Sequence, residues 1–471
     1  MKKITFLALL IISFSLSSQT YFEKVINVGS TTNSNNMGLC VEQTSDGGFI
    51  ISAMGLDGSN FYDNAYLLKT DSLGNVLWKR SYQTFDFASG NWAMETRDGN
   101  YVLLSEESAI NPLDIHLMKY NSNGGLIWRD FLFDRNDTVG NRYMENRAFY
   151  CSETADSGIV LCGHKAYNHI SYLYVIKTNS RGDTLWKTLP VTNLSTTGYC
   201  IKPTADNGYI VTAAGDGNYP NSGGLNIIKL DSVGNLIWLK RFSNATVSQG
   251  NSIEIMPDNG FVIAGGNYNS VTSQFDNYII RMNSMGDTMW TKTYPYPACN
   301  NIRRINNTQF LMSSTYSIGS VYKVLLSKTD TSGVFIDSTT FHSSYANYNA
   351  NCLSLTRDGN FCFVGQVAVG NTYYVYFVKS NQITNGIKTY YDDNSITISP
   401  NPFTSLTTIS FTQEQTNTII KITDVLGKEI KTINFTGKEL IIMKGTMQAG
   451  IYFVQITDAN KNIVNRKVVV Q

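Results

Sequence analysis

The sequence predicts an all-β chain: a seven-bladed β-propeller of four-stranded blades followed by a small antiparallel β-sandwich. Three observations carry that prediction. First, a phrase closing on tryptophan recurs: "KTDSLGNVLWKRSY" at Lys69 to Tyr82 returns as "KYNSNGGLIWRDFL", "KTNSRGDTLWKTLP", "KLDSVGNLIWLKRF" and "RMNSMGDTMWTKTY". Second, "TSDGGFIISA", "TRDGNYVLLS", "TADSGIVLCG", "TADNGYIVTA", "MPDNGFVIAG" and "TRDGNFCFVG" alternate with it, and a degraded copy, "INNTQFLMSS", fills the gap. The turn positions Asp46, Asp98, Asp156, Asp206, Asp258, Asn307 and Asp358 lie about 52 residues apart on average, the signature of a repeat architecture. Third, 471 residues with 42% hydrophobic, 12% aromatic and only 15% charged content suit β-structure with polar turns better than helices. The length also exceeds one ordinary core.

In chain order, Lys2 and Lys3 precede the apolar run Ile4 to Phe14 and the small-residue stretch "SFSLSSQ". This reads as a secretory signal peptide, residues 1–18, cleaved between Ser17 and Gln19. No later run approaches the roughly 18 apolar residues of a membrane-spanning helix. The first cysteine, Cys40, lies far beyond the cleavage region, so no lipoprotein cysteine is expected.

Residues 19–380 form the propeller. Each repeat holds four short extended segments, in the fourth copy "GYCIKPT", "GYIVTAA", "LNIIKLD" and "NLIWLKR". Between the last two, Asp231-Ser232-Val233-Gly234 is a turn. The Asp side chain bonds the backbone two residues on, and Gly takes the left-handed conformation. Asp71/Gly74, Asn121/Gly124, Asn179/Gly182, Asn283/Gly286 and Asp330/Gly333 repeat the device. Leu77-Trp78, Ile127-Trp128, Leu185-Trp186, Ile237-Trp238 and Met289-Trp290 place apolar groups on both faces of the fourth strand. Sheets buried on both sides pack radially as blades, with each tryptophan a wedge. The sixth copy carries Asp337 there, so a weaker junction is expected. The seventh copy lacks a fourth strand, and "YFEKVINV", Tyr21 to Val28, supplies one by pairing with Tyr373–Lys379. That pairing closes the ring and removes two open edges.

This closure and the "DGG" and "DNG" tips resemble WD-repeat propellers, though the Gly-His and Trp-Asp signatures are missing. The Gly-x-x-x-Trp spacing resembles the tryptophan motif of quinoprotein dehydrogenase propellers, with a shorter turn. Asp71-Ser72-Leu73, Asp183-Thr184-Leu185 and Asp231-Ser232-Val233 resemble a bacterial O-glycosylation sequon, although turn geometry alone demands these residue types.

Residues 381–394 read as a linker, and 395–471 as the sandwich, with alternating β-branched and polar residues and turns at Asp424–Gly427 and Asp458–Asn462. Pro400-Asn401-Pro402-Phe403, Asp424 to Gly427, Gly450-Ile451-Tyr452-Phe453 and the basic-then-valine ending at Lys467 resemble the C-terminal sorting domain of type IX secretion, of immunoglobulin-like shape. The resemblance implies the type IX translocon and a sortase-like peptidase as partners. It also implies a location that is secreted or anchored at the outer surface of the outer membrane.

Seven cysteines in an exported chain raise the question of disulfides. Cys40, Cys200 and Cys352 each precede a turn aspartate by six residues and Cys151 precedes one by five, which suits small buried packing residues. Cys151 and Cys162 flank one turn and are candidates for a cross-hairpin bridge. Of four histidines, His164 and His169 share "GHKAYNHIS", expected as a loop, with no third metal ligand in sight. "GLDGSNFYDN" and "GDGNYPNSGG" miss the spaced carboxylates of a calcium loop. No metal, cofactor or catalytic residue is assigned, and net charge +1 without a basic block gives no nucleic-acid footprint.

Three functions stay open. The first is a secreted or surface binding and adhesion module for an extracellular glycan or protein, engaged by exposed loops with Phe61, Tyr62, Asp63, Tyr219, Tyr268 and Tyr345 as candidate contacts. The second is a hydrolase or quinoprotein-like enzyme at the propeller channel. The third is a structural surface component without a discrete ligand.

Overall fold

The computed structural model describes residues 21–29, 35–56, 63–82, 87–108, 113–132, 138–139, 142–143, 145–167, 170–192, 195–215, 224–242, 248–341, 343, 345, 347–380, 396–424, 428–457 and 463–471. The expected signal peptide and linker lie outside these residues.

Seven antiparallel four-stranded sheets follow one another along the chain. Blade one runs Met37–Gln43, Phe49–Leu56, Asp63–Thr70 and Val76–Tyr82. The innermost strands of blades two to seven are Phe87–Glu95, Glu145–Glu153, Thr197–Pro203, Ser248–Ile255, Cys299–Arg304 and Cys352–Leu355. Contact between successive innermost strands continues around the ring and returns from blade seven to blade one. The ring closes as the sequence suggested: Phe22–Ile26 is the fourth strand of blade seven, with Phe22 opposite Lys379 and Ile26 opposite Val375. Phe22, Phe49 and Phe377 meet edge to face across that seam, with centroids 4.9–6.1 Å apart, a geometry worth more than area burial alone.

Each repeated tryptophan covers the turn glycine of the next blade. A Cβ on Gly182 would lie 2.7 Å from the Trp128 ring, and its φ of +93° already excludes most side chains. Trp78 covers Gly124, Trp186 covers Gly234, Trp238 covers Gly286 and Trp290 covers Gly333. Phe22 takes this place over Gly74. The apolar residue before each tryptophan is not buried, contrary to the two-faced reading: Leu77, Ile127, Leu185, Ile237 and Met289 are all about half exposed or more. The tryptophan packs toward the next blade, while the residue before it, on the alternate face, meets water.

A charge pair accompanies the wedge. Lys69, Lys119, Lys177, Lys229, Arg281 and Lys379, all buried on third strands, reach Asp46, Asp98, Asp156, Asp206, Asp258 and Asp358 at 2.5–3.0 Å. Burial alone would raise the Asp206 pKa. The Lys229 ammonium, the Thr204 hydroxyl and the Gly208 amide outweigh it and bring it down to about 2.

The cysteines are all free and buried. Cys151 stands opposite Leu161, and Cys162 opposite Tyr150, so the bridge between them does not form. The register counted from the Asp156 turn leaves the two cysteines one position out of line. Tyr150, not Cys151, takes the place after the bulge that Cys40 and Cys200 hold, and Cys151 matches Val41 and Ile201.

At the C-terminal end, Ile396–Ser399, Leu406–Asp424, Glu429–Met443, Gly450–Thr457 and Ile463–Val470 form an antiparallel sheet. The long second strand bonds the first strand through its early residues and the fourth through its late ones. Both halves surround one core of Phe403, Ile409, Phe411, Ile420, Ile422 and Val454.

Candidate functional site

Every innermost strand but the last begins with a β-bulge, seen as a register shift at Gly38/Cys40, Gly90/Trp92, Ala148/Tyr150, Gly198/Cys200, Gly250/Ser252 and Cys299/Asn301. The extra residue is left out of the ladder, which frees its side chain to aim elsewhere. Those residues are Leu39, Asn91, Phe149, Tyr199, Asn251 and Asn300, with Asn351 in the matching place of blade seven. All seven line one cavity of about 460 Å³, so the cavity is the mouth of the central channel. The residue before each bulge is small because the neighbouring blade presses there. A Cβ on Gly38 would fall 2.2 Å from Val364, and one on Gly250 would fall 2.2 Å from Leu225.

The wall has two characters. Asn91, Asn251, Asn300 and Asn351 each donate Nδ2 to a carbonyl of the next blade, at Ala148, Cys299, Ala350 and Gly38, over 2.8–2.9 Å. These bonds run around the ring and stitch blade to blade. On blades two to four, Trp92 and Tyr150 lie 3.9 Å apart between centroids, and Phe149 stacks on Tyr199 at 5.7 Å and 24°. Trp92 is the one tryptophan outside the repeated phrase.

Beneath this ring lies an acid–base layer. Glu254 reaches Lys202 at 3.1 Å and Arg303 at 3.6 Å, and Arg303 also donates to the Ser252 hydroxyl at 3.2 Å. Glu42 occupies the equivalent place in blade one. Burial pushes its carboxyl up to about 7, against the pull of Arg303 and Lys202 and with the push of Glu95.

The bulges sit at the starts of innermost strands, opposite the Asp-Gly tips. The connections between second and third strands, and from each fourth strand to the next blade, lie at that same end. Of the candidate loop residues, Asp63, Tyr268 and Tyr345 are at this end. Asp63 begins a third strand, half-buried, and burial raises its carboxyl. Tyr268 faces Phe275 across a strand pair at 5.4 Å, and Tyr345 leans on Tyr376 at 6.1 Å. Phe61, Tyr62 and Tyr219 lie outside the described residues.

His164 is in a strand, not a loop, opposite Arg147, with Nδ1 3.1 Å from the Thr197 hydroxyl. His169 lies outside the described residues. Among the described residues no group of three acidic, His or Cys side chains is placed to hold a metal.

The channel ring was missed at sequence level although it carries a signal. Leu39, Asn91, Phe149, Tyr199, Asn251, Asn300 and Asn351 each stand seven positions before the turn residue, behind a Gly, Ala or Cys.

In the C-terminal sheet, Asn401 clips the last strand. Its Nδ2 donates to the Lys467 carbonyl at 2.9 Å, and its Oδ1 accepts from the Val469 amide at 2.8 Å. Pro400 offers its carbonyl to Thr407, and Phe403 is buried. Lys467 pairs with Phe453 in register. Asp424 caps its turn by accepting from the Lys428 amide, and Gly427 lies outside the described residues. Gly450 opens a strand, and the Tyr452 hydroxyl donates to the Gln448 carbonyl at 3.0 Å.

Residues 397–471 match the family described as the secretion system C-terminal sorting domain. They mark the chain as cargo of type IX secretion, for the cell surface or release. No curated protein sequence matches the chain. Among solved structures it is similar to the Pan2 WD40 domain of Neurospora crassa, at 10% identity and TM-score 0.46, over 74% of this chain and 90% of that one. It is also similar to PorZ, a bacterial surface component of the type IX secretion system of Porphyromonas gingivalis, at 11% identity and TM-score 0.35, over 90% of this chain and 69% of that one. Sqt1 of Chaetomium thermophilum matches at 10% identity and TM-score 0.44, over 72% of this chain and 82% of that one.

Proposed function

We propose that this exported propeller is a binding and adhesion module of the cell surface or its surroundings, taking an extracellular glycan or protein at the loop end of the ring. In this reading residues 1–18 are removed as a signal peptide and 19–380 are the binding propeller. Residues 381–394 link it to the sorting domain at 395–471, where a sortase-like peptidase acts during attachment or release. The observation that carries the reading is convergence: six bulged side chains, Asn351 in the matching place of blade seven, and the loops bearing Asp63, Tyr268 and Tyr345 share one end of the molecule. Rigid blades hold such loops in place, the arrangement scaffolds use to present contacts.

The test is a screen of residues 19–471 against arrayed glycans and extracellular proteins, with loop and channel variants in parallel. Saturable binding that falls when the loop end is altered, and survives changes to the Asp-Gly tips, supports the proposal. Steady turnover of a substrate without a stable complex would favour a channel enzyme. Absence of both would leave a structural surface component.

A further inference from the structure

Resting on that reading, we infer that the channel mouth receives a neutral saccharide end-on, a single sugar ring or the terminus of a glycan. The lining selects against charge first. Among the described residues the lining contains no carboxylate, so a cationic ligand finds no counter-charge in the wall itself. Among the same residues its one cation is Arg303, whose Nη1 already holds Glu254, Ser252 and the Ile302 carbonyl, so part of its charge is answered within the wall. Burying an unmatched ion costs far more than burying a hydroxyl that is hydrogen-bonded.

The polarity of the wall then selects shape. On blades five, six and seven, the Nδ2 groups of Asn251, Asn300 and Asn351 are held by carbonyls of the next blade. Those bonds fix the three amides and leave the Oδ1 atoms as acceptors for donors in the lumen. Phe149 and Tyr199 offer apolar surface across the channel from them. A ligand that fits must donate hydrogen bonds along one edge and present C–H surface along the other. A pyranose ring does both at once, with hydroxyls around its rim and a C–H face that stacks on aromatic rings. About 460 Å³ lies within the range of small-molecule pockets. All seven blades contribute to the wall, so the ring surrounds the cavity and a polymer enters it by its end.

The experiment uses the full mature chain and free sugars as probes: glucose, galactose, mannose, fucose and N-acetylglucosamine, with glucosamine and sialic acid as charged controls. Saturation-transfer NMR reads contact, and the change in tryptophan fluorescence, to which Trp92 in the wall contributes, reads affinity. At least one neutral sugar is expected to bind saturably, and the charged controls at least tenfold more weakly. Phe149→Leu and Asn300→Leu are each expected to weaken binding at least tenfold, with circular dichroism confirming the fold. If one variant fails to fold, the other decides. Sugar binding unchanged by the folded variant overturns the inference. Binding of proteins or long glycans through the loops, with no response to any free sugar, also overturns it but leaves the binding-module reading standing. No binding of any kind overturns both.

Discussion

Blade six and the five blades before it use the same two positions differently. In blades one to five the turn position holds aspartate and the fourth strand holds tryptophan. In blade six these are Asn307 and Asp337. The register puts Asp337 opposite Lys328, where Trp238 stands opposite Lys229. Burial pushes the Lys328 pKa down, and Asp337 opposes the shift. The counter-ion has therefore moved from the turn to the neighbouring strand. The missing tryptophan follows the same logic. A wedge covers the turn glycine of the next blade, but blade seven has no such turn, because its fourth strand arrives from the other end of the chain. The expected weak junction is packed by other means: Phe341 meets Phe363 at 5.1 Å, within a cluster holding Tyr348 and Tyr376. The departures in blade six are thus consequences of where the ring closes.

Removing the closing strand tests this most severely. A mature chain lacking residues 21–28 is expected to give no folded monomer on size exclusion, because one edge of blade seven is bared and Phe49 and Phe377 lose their partner. Phe22→Ala should cost about 3–4 kcal/mol in denaturant unfolding.

Next in size is the wedge itself. Trp128→Ala should lose about 2–4 kcal/mol. Gly182→Ala should also destabilise, and the double variant should lose less than the sum, because the two residues share one contact. Equal additivity would mean that the ring does not serve the glycine.

Asp337→Trp then separates blade six from its neighbours. Restoring the repeat residue there should destabilise by about 1–3 kcal/mol, since Lys328 is left without its carboxylate. Adding Asn307→Asp should recover part of that loss. A stabilising Asp337→Trp would sink the account.

The channel gives a pH-dependent version. Glu42 has a folded pKa near 7, raised from 4.5, so the folded state holds its proton longer than the unfolded state does. Its contribution is intact below about pH 4.5 and is lost as pH rises to 7. Glu42→Gln should accordingly raise Tm at pH 8 and leave it unchanged at pH 4. The turn aspartates work in the opposite sense. With a folded pKa of about 2 against 3.8, Asp206 supports the fold above pH 4 and loses that support as pH falls toward 2. Asp206→Asn should slightly flatten the acid limb of a stability profile.

The ring was legible in the sequence because it is repeated: turns, strand count and closure all leave period-52 marks, and even the degraded copy at Asn307 kept its place. The sorting domain was legible because Pro400 to Phe403, Tyr452 and Lys467 stand in order. Single-position events were harder. Cys151 and Cys162 stand one position out of line in their hairpin, and their near-symmetry about the turn hides that offset. The exposure of Leu77 and Ile127 depends on which strand is outermost, which hydrophobicity cannot tell. The channel ring kept a fixed offset from the turn but varied its residues from Leu39 to Tyr199 to Asn351. A search for recurring identity passes over a position that recurs only in place.

The pairing of Phe22 with Lys379 also sets an order of events. The strand made first is the last to find its partner, because more than 350 residues must be synthesised before its complement exists. Until then blades one to six can assemble from neighbouring hairpins, while the amino-terminal segment waits as an unpaired strand. Closure is then a slow, long-range step that follows local folding. A translocation route that delivers the amino terminus first keeps the ring open until Lys379, about four-fifths of the way along the chain, has crossed.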